Sequence, residues 1–547
     1  MRRIAALASL LVLTAVAPNA QVPRPAAPPA AIKPRLVVLL SVDQMRGDYI
    51  DRFRHQWSKG LHRLVSEGAW FRQADYPYYT TVTCAGHASI STGTVPAVHG
   101  MVANSWAVQN NSRTVSCTDD DSQKLIAYDG RPMTGVAHSA ANLMSPTLAD
   151  ELRAQSWPPT RVVGISLKAR SAINLSGHKP DAVIWLDERD GGWVTSTAFA
   201  KGPAPFFADY LVKHPMADQM GRTWERSMPV ERYLYEDSKE YRRRTPHVTT
   251  GFPHLTKGRG DEVGGAITDA WEASPYSDAY LNGLAFAAID AMKLGRTAGT
   301  DFLGISYSAL DLTGHSYGPV SHEVQDVLFN LDIQIGLLLD KLDRDLGAGN
   351  YVVGLSADHG VAPIPERLKA EGFDAGRIDT IGMGRAIDAV LAKELGPASY
   401  RTRVINNDVY FNDGVYAKLT QNAAAMDAVL AVIRKADGVS RVYRKEELSA
   451  SDPLTKQSFL SHYEGRSGEM KIIGRAYWGT SASTTTHGTG HRYDTRVPVV
   501  LFGFGIKKGE YLEEVAPIDL APTLAFLSGV TLPDAMGRVL TEALIHH

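Results

Sequence analysis

The chain has 547 residues, of which 44% are hydrophobic, and carries a formal charge of −2. A chain of this length can form one large α/β domain with insertions, or two to three smaller domains. The near-neutral charge argues against nucleic acid or an anionic membrane as the main partner, because both favour basic surfaces.

The first residues are typical of a secretory signal. Arg2 and Arg3 precede a short apolar run, and Ala15-Val16-Ala17 offers a cleavage site, with Ala20 as a second candidate. Residues 1–20 are therefore predicted to be a signal peptide, and residues 21–34, rich in Pro and Ala, an extended linker. The apolar run is too short to span a bilayer well, and no later segment is long and apolar enough to do so. We expect a periplasmic or secreted protein with no membrane span after cleavage; a retained N-terminal anchor is the alternative.

Apolar runs that read as buried strands recur along the rest of the chain, and four of them end in a residue of catalytic type. These runs are 35–42 before Asp43, 161–167 before Lys168, 302–310 before Asp311, and 351–357 before Asp358. Ligands of open α/β sheets bind beyond the carboxyl ends of the strands. We therefore expect these four side chains to meet at one edge of a sheet.

Predicted helices separate these strands. Ser145 and Pro146 are predicted to open a helix as N-cap and first helical residue, and apolar residues mark one face of a long helix from Val324 to Leu342. A late strand over 497–502 and a helix over 519–527 close the chain. This alternation predicts an α/β fold with a doubly wound, mostly parallel sheet flanked by helices. Residues 35–547 are predicted to form the catalytic domain, with inserted cap segments at about 200–290 and 365–480, which fit the alternation less well.

The strand-end residues suit a metal. Asp358 and His359 place a hard carboxylate beside an imidazole, a pair that suits zinc. Asp311 and His315 are four residues apart, so both would face one way if a helical turn follows the strand. For Asp43 the alternative role is a helix N-cap.

Two other segments hold candidate residues. His487 lies in a polar loop before the last strand, and His491 of the same loop is its main rival as a further nitrogen ligand. Thr83 precedes a run of small residues that reads as a helix, whose N-terminus would present free N–H groups and a positive dipole end to an anion. A hydroxyl there can act as a nucleophile if a metal lowers its pKa, although an ordinary N-cap is the alternative.

The motifs together resemble the alkaline phosphatase superfamily. In chain order they are Val42-Asp43-Gln44-Met45-Arg46, Thr83-x-x-x-His87, Asp311-x-x-x-His315, Asp358-His359-Gly360 and His487-Gly488. They span nearly the whole mature chain and are most similar to the single-chain secreted bacterial alkaline phosphatases of the Sphingomonas and flavobacterial type, relatives of the nucleotide pyrophosphatase/phosphodiesterases.

The resemblance implies two Zn²⁺ ions per chain and a covalent mechanism. One zinc would be held by Asp311, His315 and His487, and the other by Asp43, Asp358, His359 and Thr83 Oγ. Thr83 would attack phosphorus in line and form a phospho-threonine, which water then hydrolyses. His87 would be structural, one turn below the nucleophile.

Three further residues separate the subfamilies. Lys168 and Arg170, two residues apart and predicted to lie on one face of an extended segment, would meet the non-bridging oxygens of a phosphate monoester. Asn104 would donate from its amide. The resemblance implies that monoesterases have these three residues and that diesterase relatives lack the cationic pair.

The resulting prediction is a zinc-dependent alkaline phosphatase that hydrolyses a broad range of small phosphate monoesters and releases phosphate. The first alternative is a phosphodiesterase or nucleotide pyrophosphatase on the same bimetallic core, and the second is a metal-binding protein without catalysis. A sulfatase is excluded, because the Pro and Arg of Cys-x-Pro-x-Arg do not follow Cys84.

Three smaller expectations remain. Cys84 and Cys117 could form one disulfide, since an oxidising compartment favours pairing of two cysteines. Asp119-Asp120-Asp121 could bind Ca²⁺, although a charge run is more often solvated. We expect a monomer with no nucleic-acid-binding surface.

Overall fold

A ten-stranded sheet forms the centre of the computed structural model, which describes residues 33–108, 112–187, 189, 191–237, 239–242, 251–256 and 265–545. The predicted signal peptide and nearly all of the predicted linker lie outside the described residues. Lys33–His547 forms one compact unit. From one edge to the other the strands are Gly509–Val515, Ala69–Ala74, Val499–Gly503, Tyr351–Ser356, Leu36–Val42, Asp301–Tyr307, Val162–Ser166, Ala182–Leu186, Trp193–Ser196 and Leu125–Ala127.

The middle of the sheet is parallel and fully buried. Leu36–Val42 pairs in parallel with both Asp301–Tyr307 and Tyr351–Ser356, with Val42 opposite Tyr307 and Ser41 opposite Ser356. Continuous apolar runs form such strands because both faces of a parallel sheet are covered by helices. The outer pairings of Val499–Gly503, Ala182–Leu186 and Trp193–Ser196 include antiparallel ones. The predicted α/β class with a mostly parallel sheet is confirmed.

Helices cover the sheet and follow its strands. The longest, His322–Leu346, buries the predicted apolar face from Val324 to Leu342. The α-helices among the described residues are Asp48–Phe53, Gly60–Glu67, Thr83–Thr92, Pro96–His99, Leu148–Gln155, Ala169–Ser176, Pro205–Lys213, Gly265–Glu272, Pro275–Met292, Ala309–Tyr317, His322–Leu346, Pro365–Ala370, Thr380–Leu395, Val415–Thr420, Ala423–Lys435, Lys456–Leu460, Arg492–Thr495 and Leu520–Ser528.

Two sequence predictions of element boundaries are wrong. The helix expected to open at Ser145-Pro146 begins at Leu148, because Thr147 is its N-cap and forms a reciprocal capping box with Asp150. The strand expected over 302–310 ends at Tyr307, and Ala309 already starts the next helix. Asp311 therefore lies in the first turn of a helix and not at the end of a strand.

A second, smaller sheet lies within residues 376–479. Its strands are Arg403–Ile405, Asp408–Tyr410, Met470–Gly474 and Val439–Arg444, in that spatial order. The helices Thr380–Leu395 and Ala423–Lys435 pack on it and share a buried apolar cluster with its strands. Further short pairs include Ser105–Val108 with Arg113–Ser116, and Thr223–Trp224 with His254–Leu255. No helix among the described residues is both long and apolar enough for a bilayer crossing.

Candidate metal centre and active site

Three buried carboxylates meet at the carboxyl edge of the central strands. Asp43 directly follows Leu36–Val42 and donates its backbone N–H to the Tyr307 carbonyl, at 3.0 Å. Asp358 lies two residues beyond the adjacent strand, and Asp311 lies on the helix that follows the strand ending at Tyr307. Asp43 and Asp358 are fully buried, and Asp311 is 3% exposed. The parallel register therefore brings these three predicted residues together.

Two groups of side chains at this edge have the spacing needed to hold a metal ion. Asp43, Asp358 and His359 form one group, and Asp311, His359 and His487 form the other; within each group the ligand-type atoms lie within 4.8 Å of one another. The sequence paired Asp311 with His315 instead of His359. The ring of His359 stacks on that of His487, with the centroids 3.4 Å apart, and His359 belongs to both groups. His315 is nevertheless close, with Nε2 3.2 Å from Asp311 Oδ1.

The imidazoles share one hydrogen-bonding pattern. Nδ1 of His315 donates to the Thr485 carbonyl, and Nδ1 of His487 donates to the Thr81 carbonyl, each at 2.9 Å. Nδ1 of His359 makes the same contact with the Gly360 carbonyl, also at 2.9 Å. A carbonyl can only accept, so Nδ1 carries the proton and Nε2 keeps its lone pair when the ring is neutral. Metal-binding histidines usually donate the N–H of the ring nitrogen that does not bind the metal to a carbonyl or carboxylate in this way.

The neutral form is favoured for two of these rings. Burial, followed by the neighbouring imidazoles of His359 and His315, holds the pKa of His487 well below its usual range. Burial also lowers the pKa of His359. Metal binding requires neutral imidazole, so both rings are poised for it.

The distances between nitrogen and oxygen at this edge fit a cation placed between them. His359 Nε2 lies 3.3 Å from Asp358 Oδ2 and 3.5 Å from Asp43 Oδ1. Two ligand atoms about 2.1 Å from a tetrahedral zinc lie roughly 3.4 Å apart. Asp43 Oδ1 and His359 Nε2 are both buried and have no hydrogen-bond partner within the described part of the chain. Such atoms are costly to bury unless they bind something.

Repulsion between the three carboxylates also favours a bound cation. Burial, followed by the carboxylates of Asp311 and Asp358, raises the pKa of Asp43 well above its usual range. Three carboxylates with little access to water repel one another, and a divalent cation removes that repulsion. The donor set of this edge therefore fits metal ions.

Thr83 is the first residue of the helix Thr83–Thr92 and is 2% exposed. Gly86 explains the close approach of this helix, because a Cβ there would lie 2.1 Å from the Asp358 carbonyl oxygen. His87 Nδ1 donates to the Thr83 carbonyl at 2.9 Å and lies 3.2 Å from Asp358 Oδ2. Together with the contact of His487 to the Thr81 carbonyl, these contacts fix the segment that carries Thr83.

Lys168 lies between the carboxylates of the two groups. Its Nζ donates to Asp43 Oδ2 at 2.5 Å and to Asp311 Oδ2 at 2.6 Å. Burial opposes the charged ammonium, but the Asp311 and Asp43 carboxylates outweigh it and raise the pKa of Lys168. Lys168 is therefore a fixed cation at the centre of the site.

Arg170 departs from the predicted extended segment. Lys168 is the extended N-cap of the helix Ala169–Ser176, so Arg170 lies in the first helical turn. The helix begins directly after Lys168, and its apolar residues Ala172, Ile173 and Leu175 are fully buried. Arg170 lines a cavity of about 330 Å³ together with Trp185 and Arg189. Asn104 lies across the Thr83 helix, where its Oδ1 accepts the backbone N–H of Cys84 at 2.9 Å.

The remaining sequence candidates are placed as follows. His491 Nε2 contacts the Gly474 carbonyl at 3.1 Å and belongs to neither group. Cys84 and Cys117 form a disulfide. Asp120 accepts hydrogen bonds from the hydroxyls of Ser122 and Ser139. Residues 119–121 contribute to neither candidate metal group found among the described residues.

Sequence reasoning missed three residues that hold the site. Gln44 donates its backbone N–H to Asp358 Oδ1 at 3.1 Å and its side-chain amide to Asp311 Oδ1 at 2.5 Å. Gln44 follows the predicted ligand Asp43, and the sequence around a Gln gives no local signal of such contacts. The other two are buried carboxylates, Asp278 and Asp494.

Asp278 and Asp494 hold the segments that carry the candidate ligands. Asp278 Oδ1 accepts the backbone N–H groups of Ser308 and Ala309, at 3.2 and 3.3 Å, where the helix of Asp311 begins. Asp494 Oδ2 accepts the N–H and the hydroxyl of Thr489, two residues after His487, at 2.9 and 2.6 Å. Burial raises the pKa of each carboxyl to about 7.

Comparison with known proteins identifies relatives of the whole chain. Residues 37–492 match the family described as Type I phosphodiesterase / nucleotide pyrophosphatase. Alkaline phosphatase PafA of Elizabethkingia meningoseptica is 31% identical over 531 residues, which cover 94% of this chain and 95% of the relative. Alkaline phosphatase PhoV of Synechococcus elongatus is 31% identical over 530 residues, 94% of each chain. Alkaline phosphatase PhoK of a Sphingomonas species is also 31% identical, covering 92% of this chain and 90% of the relative.

Solved structures agree with these matches. The crystal structure of wild-type PafA has a TM-score of 0.86 at 30% identity, covering 94% of this chain and 100% of that chain. Murine ectonucleotide pyrophosphatase / phosphodiesterase 5 has a TM-score of 0.52 at 15% identity, covering 93% and 100%, a likeness that shows the shared fold alone.

The fold and the site together define a member of the alkaline phosphatase superfamily. They combine a mostly parallel sheet with carboxylates and imidazoles grouped beyond its central strands. The chain belongs to the type I phosphodiesterase / nucleotide pyrophosphatase family of that superfamily. The resemblance found in the sequence is confirmed.

Proposed function

We propose that this chain is a zinc-dependent alkaline phosphatase that hydrolyses small phosphate monoesters through a phospho-threonine on Thr83. The class of reaction follows from the relatives, because three alkaline phosphatases match more than nine-tenths of the chain at 31% identity. This protein is a phosphomonoester hydrolase. The observation that carries the finer proposal is that the segment around Thr83 contacts members of both candidate metal groups: the Thr81 carbonyl contacts His487, and His87 contacts Asp358.

Two zinc ions are the proposed cofactors, because carboxylate oxygens and imidazole nitrogens are typical zinc ligands. The ligand sets would be Asp311, His315 and His487 for one ion, and Asp43, Asp358, His359 and Thr83 Oγ for the other. The lowered pKa values of His359 and His487 and the unpaired atoms Asp43 Oδ1 and His359 Nε2 support these sets. When bound, the ions would supply positive charge that lowers the pKa of the Thr83 hydroxyl and favours departure of the leaving oxygen.

Thr83 is the proposed nucleophile. Its oxygen would form a bond to phosphorus while the bond from phosphorus to the alcohol oxygen breaks, and water would then hydrolyse the phospho-threonine. The positive end of the Thr83–Thr92 helix favours an anionic phosphoryl group at this position. The contact between His87 and the Thr83 carbonyl keeps the first turn of that helix in place.

Lys168, Arg170 and Asn104 are the proposed phosphoryl-binding residues. A monoester offers more charged oxygens than a diester, and Lys168 already places an ammonium between Asp43 and Asp311. A solved structure of a PafA variant carries changes of one Thr, one Asn, one Lys and one Arg. The spacing of that Thr and Asn equals that of Thr83 and Asn104, and the spacing of the Lys and Arg equals that of Lys168 and Arg170. This agreement supports treating Thr83, Asn104, Lys168 and Arg170 as residues of one site.

Export and broad specificity complete the proposal. The Cys84–Cys117 disulfide suits an oxidising compartment, so we propose a periplasmic or secreted enzyme. Binding energy directed at the phosphoryl group leaves the alcohol unselected, which would allow many monoesters as substrates. We propose that the enzyme acts as a monomer.

The test is the ratio of kcat/KM for an aryl phosphate monoester to that for the matching diester, measured on zinc-loaded protein. We expect a ratio far above one. Thr83→Ala should lower monoester turnover by more than ~10³-fold with two zinc ions still bound, whereas the control Thr92→Ala, at the opposite end of the same helix, should retain turnover. A ratio below one would assign the protein to the diesterases, and an active Thr83→Ala protein would exclude Thr83 as nucleophile.

A further inference from the structure

The disulfide lies directly beside the proposed nucleophile. Cys84 is the residue after Thr83, and its sulfur is bonded to that of Cys117, 33 residues later in the chain. Both cysteines are fully buried. The crosslink joins the first turn of the Thr83 helix to the end of a short hairpin formed by Ser105–Val108 and Arg113–Ser116.

Asn104 is held by the backbone of both cysteines. The Cys84 N–H donates to the Asn104 side-chain Oδ1, and the Cys117 N–H donates to the Asn104 backbone carbonyl, each at 2.9 Å. The disulfide and these two hydrogen bonds form one closed unit around this residue. Cys117 therefore fixes the backbone of Asn104, and Cys84 fixes the orientation of its side chain.

The contact with Cys84 also fixes which way the amide points. A backbone N–H requires an acceptor, so the oxygen of the Asn104 amide must face Cys84, and the NH₂ group must face away from it. An anion would bind at the N–H groups of the first helical turn, and the Cys84 N–H of that turn is occupied by the Asn104 oxygen. The Asn104 NH₂ group is thereby set as a donor beside Thr83.

Other contacts also hold the hairpin: Arg403 donates to Thr114 Oγ1 at 3.0 Å, and Trp106 packs in the apolar cluster that contains both cysteines. Arg113 and Thr114 on its second strand are exposed, and the first strand buries only Trp106 and Ala107. Asn142 adds one contact, from its amide to the Cys117 carbonyl at 3.1 Å. The disulfide adds a covalent link that joins this hairpin directly to the Thr83 helix.

We propose that the Cys84–Cys117 disulfide is a positioning element for Asn104, so that recognition of the monoester phosphoryl group depends on formation of this bond. The inference rests on the proposed function, in which Asn104 donates to the phosphoryl group. Without the disulfide, the hairpin and the Asn104 amide shift relative to Thr83, while the Asp and His ligands of the metal groups, which lie on other elements, stay in place. The enzyme then binds the phosphoryl group less well and still holds two zinc ions.

Four zinc-loaded proteins test this as a double-mutant cycle: the wild type, Asn104→Ala, the pair Cys84→Ala with Cys117→Ala, and all three changes together. Loss of a hydrogen bond to a charged group lowers kcat/KM by roughly 10–100-fold, which is the expectation for Asn104→Ala. The variant with Cys84→Ala and Cys117→Ala should have a kcat/KM at least ~5-fold below that of the wild type, which is about half of such an interaction on a logarithmic scale. The triple variant should be no worse than Asn104→Ala, with two zinc ions retained throughout.

The outcomes separate the inference from the function on which it rests. If the losses multiply in the triple variant, the disulfide does not act through Asn104 and the inference is wrong. If the double cysteine variant keeps the kcat/KM of the wild type, the inference is wrong as well. If Asn104→Ala alone is fully active, the fault lies in the phosphoryl-binding role proposed for Asn104.

A second measurement needs no cysteine substitution. Wild-type and Asn104→Ala proteins are purified with free thiols and assayed before and after oxidation by glutathione disulfide, which converts the two cysteine thiols to a disulfide and yields two glutathione thiols. Oxidation should raise kcat/KM of the wild type by at least ~5-fold and leave that of Asn104→Ala unchanged, at constant zinc content. An equal rise in both proteins, or none in the wild type, overturns the inference.

Discussion

The close approach of the Thr83 helix to the sheet can be tested by adding a single methyl group. In Gly86→Ala the new Cβ would lie 2.1 Å from the Asp358 carbonyl oxygen and 2.5 Å from its Cα, against 3.4 Å for an ordinary contact. The helix must therefore move away from Asp358 by about 1 Å, because both neighbours are backbone atoms and cannot rotate aside.

This displacement predicts a large loss of rate and a modest loss of stability. A misplacement of about 1 Å between reacting groups can cost roughly 10²-fold in rate, so we expect kcat for an aryl phosphate to fall by about that factor. Overpacking costs about 1–3 kcal/mol, which lowers the melting temperature without unfolding the protein. Gly202→Ala is the matched control, since a Cβ at Gly202 meets nothing within 4 Å.

The assay combines kcat and KM for the aryl phosphate with zinc content and thermal melting, for both alanine variants. We expect Gly202→Ala to behave as wild type in all of them. A Gly86→Ala protein with wild-type kcat would refute the argument that helix contact with Asp358 sets the distance from Thr83 to the metal ligands. A loss of zinc without a loss of fold would instead place the main effect on Asp358.

Two further predictions concern charge. Burial raises the pKa of Asp278 to about 7. The folded protein therefore keeps a proton that an unfolded carboxyl, with a pKa of about 3.9, has released. The free energy of unfolding falls as pH rises from about 4 to 7, by at most roughly 4 kcal/mol from this group. Asp278→Asn cannot ionise, so after chelation its melting temperature relative to wild type should be higher at pH 8 than at pH 5, and an unchanged difference would contradict the assignment. Chelation of the metals should abolish turnover and lower the melting temperature, because Asp43, Asp311 and Asp358 then repel one another; zinc should restore both, and a chelated protein that melts at the same temperature would argue against metals at these carboxylates.

Much of the catalytic edge was predictable because its signals are local. An apolar run followed at once by Asp43 or by Asp358 marks both a buried parallel strand and the residue beyond its carboxyl end. The spacing of Asp311 and His315 gave one helical face, and the structure places them in one helix with Nε2 and Oδ1 3.2 Å apart. The α/β class followed from the same alternation of strands and helices.

The errors came where two local signals competed. Ser145-Pro146 has the form of a helix start, but Thr147 and Asp150 satisfy each other's backbone N–H groups and move the start to Leu148. The spacing of Lys168 and Arg170 suits a strand as well as a loop, and the helix that begins between them changes the direction of Arg170. Periodicity over two residues cannot decide such cases.

Other residues of the site gave no local signal at all. Gln44, Asp278 and Asp494 act through contacts with residues 5 to 314 positions away in the sequence. A buried carboxylate that caps a distant helix resembles any other Asp until the fold brings the two together. Sequence reasoning therefore found the residues facing the proposed metals, and missed those that fix their positions.

The choice between His487 and His491 shows what only the structure can add. Both lie in one polar loop, and each ring has one nitrogen committed to a backbone carbonyl. For His487 this nitrogen is Nδ1, so the lone pair of Nε2 remains for the group it shares with Asp311; for His491 it is Nε2 that contacts the Gly474 carbonyl. The contact between Asp494 and Thr489 fixes the loop that makes this difference. Each ring thus keeps one nitrogen available, and His487 is supported as the ligand because its Nε2 lies 3.9 Å from Asp311 Oδ1.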